Sequence, residues 1–248
     1  MTRSYVKCPY FCTKSARKGG FCTNAGFFAK YLTALSRNDT FVGILKEIQV
    51  RDFFQTQIQP VNTAVDGFDF TSKRRYANLC AQTYYYVAHS TRLLARAASN
   101  FGVDNERLHV RFAQHMNEEK SHHLLASHDV KALGYSLDDF PELAATSFFY
   151  EAQYFKVERN PFSLFGYILA LEGLAVERGK YIYERSREAH GAAACSFIKV
   201  HAEDDISHLQ TAFSVIESLS AADSEVVRRC FVQAVYGYGQ ILASIMEC

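Results

Sequence analysis

The sequence has little net charge and no long apolar run. Its 248 residues carry 27 basic and 26 acidic side chains, a net charge of +1 at pH 7, so the positive field expected of a nucleic-acid-binding protein is missing. No apolar run reaches the roughly 18 residues needed to cross a bilayer, and the N-terminal segment lacks the apolar core of a secretory signal. Because 48% of the residues are apolar, the chain can bury a large core. We therefore expect a cytoplasmic globular protein that binds neither nucleic acid nor membranes.

The cysteines do not form a regular framework. There are seven, and an odd number with uneven spacing fits a reducing compartment without disulfides. Cys8, Cys12 and Cys22 form a C-x3-C-x9-C pattern within a basic leader that we predict over residues 1–38. These thiols supply three of the four ligands of a zinc site, but no well-spaced fourth ligand follows. A flexible leader is the favoured interpretation.

Proline and strand-like alternation are scarce, whereas helical periodicity dominates from residue 39 onward. Pro60 is predicted to end one helix, and Pro141 and Pro161 to begin two others. The pattern predicts an all-α fold, a single-domain bundle of about seven helices over residues 39–248. The predicted helices cover residues 40–58, 74–99, 105–133, 141–157, 161–186, 192–219 and 220 to nearly 248, with residues 60–72 as a loop.

One predicted helix, 192–219, carries ionisable residues on a face that should point into the bundle. His201, Asp205 and His208 lie at positions i, i+4 and i+7, so they follow one another along one side of the helix. Both ends of this stripe are apolar. Three ionisable groups in the middle of an apolar stripe are unusual for a structural helix face.

Two further predicted helices repeat this anomaly. In helix 105–133, Glu119 and His122 lie in the middle of an apolar stripe, with His115 one turn earlier. A later helix carries Glu172 as a single carboxylate on an otherwise apolar face. Taken alone, a Glu-x2-His pair is usually solvated and a lone buried glutamate is usually hydrogen-bonded in the core. The three groups on separate helices point together to one shared site.

A metal centre explains these groups best. An unpaired buried carboxylate costs several kcal/mol, so several of them with imidazoles need a compensating cation. Carboxylate and imidazole without thiolate suit iron or manganese, and helix bundles hold dinuclear carboxylate sites in their cores. His115 and His89, which lies on the predicted helix 74–99, are possible additional ligands or partners of the ligands.

The residues around this candidate site resemble a known family. The segment Glu118-Glu119-Lys120-Ser121-His122-His123, continuing to Asp129 and Leu133-Gly134, is similar to the "EE-x-GHH … D … LG" stretch of iron-containing redox enzymes with a haem-oxygenase-like fold. These enzymes belong to the thiaminase-II and pyrroloquinoline-quinone-synthase-like superfamily. The helix containing Glu172 and the segment 201–208 resemble that family's later ligand helices. The resemblance covers about residues 75–245.

The resemblance implies a centre of two Fe2+ ions per chain, with manganese as an alternative metal. Some members place a further glutamate ligand on the helix that corresponds to 74–99, where this chain has no acidic residue between Tyr76 and Asn100. One of the two metal sites should therefore be weak. The six implied ligands are Glu119, His122, Glu172, His201, Asp205 and His208.

The resemblance implies an O2-dependent non-haem diiron oxidase or oxygenase that acts on a small organic substrate. Oxidative decarboxylation, N-oxygenation and C–C cleavage all remain open, an external reductant is a possible partner, and we expect a homodimer. Two alternatives remain: a metal-free thiaminase-II-like hydrolase of the same fold with a cysteine nucleophile, and a ferritin-like metal-binding protein. No catalytic residue beyond the ligands is assigned. Five aromatic residues are candidates either for a substrate pocket or for the core: Phe148, Phe149, Tyr150, Tyr154 and Tyr167.

Overall fold

The predicted all-α fold is confirmed. A computed structural model describes residues 50–247, except for the side chains of residues 203–208 and 211. The predicted leader 1–38 and its three cysteines lie outside the described residues. The α-helices are α1 (50–57), α2 (Gln59–Asp66), α3 (Lys73–Val87), α4 (Ser90–Asn100), α5 (Glu106–Glu118), α6 (His122–Ala132), α7 (Ala144–Arg159), α8 (Ser163–His190), α9 (Ser196–Ser218) and α10 (Ala221–Glu247).

The helices pack around α8, whose most extensive contacts are with α9 and α10. In addition, α3 packs against α6 and α4 packs against α5. The buried residues of these helices form one apolar core. Within the described part of the chain, no helix has the length and apolar character needed to cross a membrane.

Two predicted boundaries beside prolines are wrong. Residues 59–66 form α2 instead of a loop, because Pro60 occupies the first turn of a helix, where its missing N–H would have no intrahelical partner. The helix predicted from Pro141 begins instead at Ala144. The buried Gln82 side chain donates to the Pro141 carbonyl at 3.1 Å and accepts from the Leu143 N–H at 2.9 Å, which holds this segment extended.

The helix predicted over 74–99 is interrupted at Ala88–His89 and continues as a separate helix. The His89 ring stacks on Tyr150 with 3.8 Å between centroids, and its Nδ1 is 2.8 Å from the Tyr154 hydroxyl. Both partners lie on α7. These tertiary contacts lie where the helix is interrupted.

The helix predicted over 105–133 is broken between Glu119 and Ser121. Ser121 has φ +71°, the one positive value among the described residues other than glycine. This left-handed conformation costs a residue with a Cβ atom about 1–2 kcal/mol, and Ser121 occupies the position of the glycine in the family pattern "EE-x-GHH". The turn places Glu119 at the end of α5 and His122 at the start of α6.

Asp129 on α6 fixes the beginning of α9. Its Oδ1 accepts the Ser196 N–H at 2.8 Å and its Oδ2 accepts the Phe197 N–H at 2.9 Å. The residue is fully buried. A carboxylate at this place accepts hydrogen bonds from N–H groups that have no partner within the helix. Its negative charge also interacts favourably with the positive end of the helix dipole. Asp129 therefore ties the helix that begins at His122 to the helix that carries His201.

Replacing Asp129 with alanine should lower the free energy of unfolding by about 2 kcal/mol, because two half-buried N–H groups lose a fully buried acceptor. Amide hydrogen exchange in the first turn of α9 should rise at least tenfold. His128→Ala is the matched control, because His128 contacts the Ser196 hydroxyl at the surface. Urea unfolding and hydrogen exchange of both variants test this role, and equal effects would contradict it.

Replacing Ser121 with glycine should raise the free energy of unfolding by about 0.5–1 kcal/mol, because glycine adopts positive φ without steric cost. The same substitution at Ser127, inside α6, should lower it by about 0.5 kcal/mol. Urea unfolding of the two variants gives the comparison. A loss of stability in Ser121→Gly would show that the turn carries no strain.

Candidate metal centre

Three of the predicted ligands meet inside the bundle. One ligand atom from each of Glu119, His122 and His201 lies within 4.8 Å of the others. The side chains of Glu119 and His122 are 11% and 22% exposed. One carboxylate and two imidazoles thus share a largely buried position where α5, α6 and α9 approach one another.

The turn between α5 and α6 sets the geometry of Glu119 and His122. His122 Nδ1 lies 3.3 Å from Glu119 Oε2, and the His122 backbone N–H donates to the Glu119 carbonyl oxygen. The neighbouring Glu118 points outward, as the helix phase predicts, and pairs with Arg111 at 3.1 Å. Glu119 is thus the acid of this pair that faces the site.

His201 is held in the orientation and tautomer that suit a metal ligand. Its Nδ1–H donates to the Phe197 carbonyl oxygen at 3.0 Å, and its ring stacks on the Phe197 ring at a centroid distance of 4.0 Å. Because a carbonyl only accepts, the proton lies on Nδ1, and Nε2 of the neutral ring carries the metal-binding lone pair. Burial lowers the pKa of His201, which favours this neutral form.

His115 and Glu172 form a second buried pair beside the three candidate ligands. His115 Nε2 lies 3.1 Å from Glu172 Oε1 and 3.6 Å from Glu119 Oε1. Burial alone would lower the pKa of His115, but its hydrogen bonds to the two carboxylates raise it to about 9. Burial alone would likewise raise the pKa of Glu119, but its hydrogen bonds with His115 and His122 hold it well below its usual range. Without a metal, an imidazolium compensates the two carboxylates.

The other predicted site residues have different positions. The backbone of Asp205 and His208 lies in α9, and their side chains lie outside the described part of the chain. His89 contacts Tyr150 and Tyr154 and is not among the residues that surround the cluster. Phe197, whose ring and carbonyl orient His201, was not a sequence candidate, since an aromatic residue one turn before a histidine is ordinary in a core helix.

A cavity of about 100 Å3 adjoins the cluster. Glu119, His115, Glu172 and His201 form part of its wall, and none of the residues that line it is exposed. Of the five aromatic pocket candidates, Tyr167 lines this cavity, whereas Phe148 is 72% exposed. The remaining lining residues are Tyr86, Val87, Ser90, Leu93, Leu94, Leu164, Ile168, Leu171, Leu174, Ala175, Ile182, Phe197, Ile198 and Tyr238.

The donor set fits iron. Two histidines and one carboxylate are the ligands of many non-haem Fe(II) oxygenases, and they leave coordination positions open. No cysteine is among the three ligands or the residues that line the cavity. Glu172 provides a further carboxylate near Glu119, because His115 contacts both of them.

Two solved structures are similar to this chain in fold. The chain resembles a domain of unknown function with a heme oxygenase-like fold from Shewanella denitrificans OS217, with a TM-score of 0.72 and 17% identity, over 80% of this chain and 92% of that one. A TenA homolog from Pseudomonas syringae pv. tomato DC3000 gives a TM-score of 0.66 and 12% identity, over 79% and 91%. No curated protein sequence matches the chain.

These structural similarities establish a heme oxygenase-like fold. At the level of sequence, the profile of a family described as iron-containing redox enzymes matches residues 77–237. This range covers more than half of the chain and includes the segment from Glu119 to His122, Glu172 and His201. The chain therefore belongs to the iron-containing redox enzyme family.

Proposed function

We propose that the protein is a non-haem diiron oxidase or oxygenase that uses O2 to oxidise a small organic substrate. The observation that carries the proposal is the group of Glu119, His122 and His201, of which Glu119 and His201 line a largely apolar cavity. Such a group binds Fe(II) and leaves positions open beside a space for substrate. Ferrous iron, when bound, supplies the electrons that reduce O2.

The residues of the chain have separate tasks in this proposal. Glu119, His122 and His201 bind one iron, and Phe197 keeps His201 in its metal-binding tautomer. Glu172 is a ligand of the second iron, together with Asp205 and His208. The apolar wall excludes water from the substrate, which protects the reaction from side products.

Two alternatives are less well supported. A metal-free hydrolase of this fold needs an activated cysteine, but burial raises the pKa of the Cys80 and Cys195 thiols, and neither lines the cavity. A thiol held protonated is a poor nucleophile. A ferritin-like metal store has no need of an apolar cavity beside its ligands, and such a cavity is present here.

Glu119→Ala should weaken iron binding by more than about 100-fold, because the loss of partners outside the ligand sphere alone costs about 10–100-fold. O2 consumption by the ferrous protein should disappear. Glu118→Ala is the matched control and should change neither quantity, because Glu118 pairs with Arg111 at the surface. Anaerobic ferrous titration followed by an O2 electrode measures both. Loss of activity in Glu118→Ala with an active Glu119→Ala would refute the assignment.

His201→Ala should abolish tight iron binding while leaving helix content unchanged, because it removes a ligand and little apolar packing. His123→Ala provides the comparison: this histidine follows a ligand in sequence, but its ring contacts Tyr84. Iron content by elemental analysis and far-ultraviolet circular dichroism report the two effects. Full iron occupancy in His201→Ala would contradict the proposed function.

A further inference from the structure

Helix α7 carries large aromatic residues on its outer side. The most exposed aromatic side chains among the described residues are Phe148, Phe155 and Tyr236, at 72%, 66% and 68%. Phe148 and Phe155 are seven residues apart on α7, so they lie on the same side of this helix. Large apolar side chains that cluster on a protein surface mark a contact with another molecule.

The exposed tyrosine extends this surface onto the neighbouring helix α10, which packs against α7. The two helices are antiparallel, because Asn160 at the end of α7 donates to Asp223 Oδ1 near the start of α10 at 3.2 Å. Towards the other end of α7, a Cβ atom at Gly237 would lie only 2.8 Å from the Phe149 ring. In each helix, the residue directly before this close pair is an exposed aromatic residue. The exposed rings of the two helices therefore belong to one surface.

The α7 part of this surface has a symmetric arrangement of charge. Glu151, Phe155 and Arg159 occupy positions i, i+4 and i+8, so they follow one another along one side of the helix, and all three are exposed. Within the described part of the chain, neither Glu151 nor Arg159 takes part in an ion pair, whereas the neighbouring Glu158 is paired with Arg96. The Arg159 guanidinium lies over the Phe155 ring at 5.5 Å. One charge thus lies about 6 Å from Phe155 along the helix axis in each direction.

Such a stripe is complementary to itself. In a symmetric contact between two copies, the same surface serves both partners. When two α7 helices pack antiparallel about a two-fold axis at Phe155, the two phenylalanine rings meet at the axis. Glu151 of each copy then faces Arg159 of the other, which gives two pairs of opposite charge. A uniformly acidic or basic partner would oppose one of these residues with a like charge, so complementarity favours a second copy of the chain.

We propose that α7 and the adjoining side of α10 form the interface of a homodimer, with Phe155 at the two-fold axis and reciprocal pairs of Glu151 and Arg159. The rings of Phe148 and Tyr236 lie around this centre, and burial of their exposed surface stabilises the association. The pairs of opposite charge set the antiparallel direction of the two helices.

Sedimentation velocity of the full-length protein over a concentration series should show a dimer. Phe155→Ala should raise its dissociation constant by at least about 30-fold, the effect expected of an aromatic residue at the centre of an interface. Leu124→Ala is the matched control, because Leu124 is 53% exposed on α6. Its replacement should leave the dissociation constant within about 2-fold of wild type. Far-ultraviolet circular dichroism should show the same helix content in both variants.

The charges provide a test of the antiparallel geometry. Glu151→Arg and Arg159→Glu each place like charges opposite one another in both pairs, so each variant should dimerise at least about 10-fold more weakly than wild type. An equimolar mixture of the two variants should recover the dimer, because every pair then joins an arginine to a glutamate. Lys180→Glu is the charge control: Lys180 is exposed on α8, where it pairs with Glu184, and the change should leave dimerisation unaltered.

A wild-type protein that stays monomeric throughout the series would show that a different partner covers this surface, and it would overturn the inference. A dimer that persists in Phe155→Ala would show that the copies meet elsewhere. A mixture of the two charge variants that associates no more tightly than either variant alone would refute the antiparallel pairing. Recovery in the mixture supports the proposal, because it requires that residues 151 and 159 of different chains face each other.

Discussion

Compensation of charge inside a helix bundle is the constraint on which this structure depends. Glu119 and Glu172 lie in a region where an unpaired carboxylate would cost several kcal/mol, and His115 lies within 3.6 Å of both. The helices around them can pack only if the ion pair, or a metal in its place, balances these charges.

Much of the fold could be predicted from the sequence, since apolar periodicity alone distinguishes helices from strands over most of the chain. The apolar stripe that contains Glu119 also predicted correctly that Glu118 faces away from the candidate site. The breaks at His89 and Ser121 could not be predicted, because neither segment contains glycine or proline and the chain direction depends on partners distant in sequence. Gln82, which delays the start of α7, acts from about 60 residues away.

The sequence predicted residue types that the structure brings together, Glu119, His122 and His201, but not the residues that surround them. Carboxylates and histidines on apolar faces are visible in a sequence, because their chemistry conflicts with their neighbours. Phe197 and Tyr167 give no such signal, since aromatic residues are expected in any core. The contribution of Phe197 arises from its carbonyl oxygen, which accepts from the His201 ring, and only the three-dimensional arrangement contains this contact.

Because Asp129 holds the first turn of α9, the position of His201 depends little on the loop that precedes this helix. Two hydrogen bonds set where α9 begins, and His201 follows one turn after Phe197. The connection 191–195 therefore has little influence on the ligand. An insertion among the exposed residues 191–193 should leave the position of His201 unchanged, whereas Ala194 and Cys195 belong to the buried core.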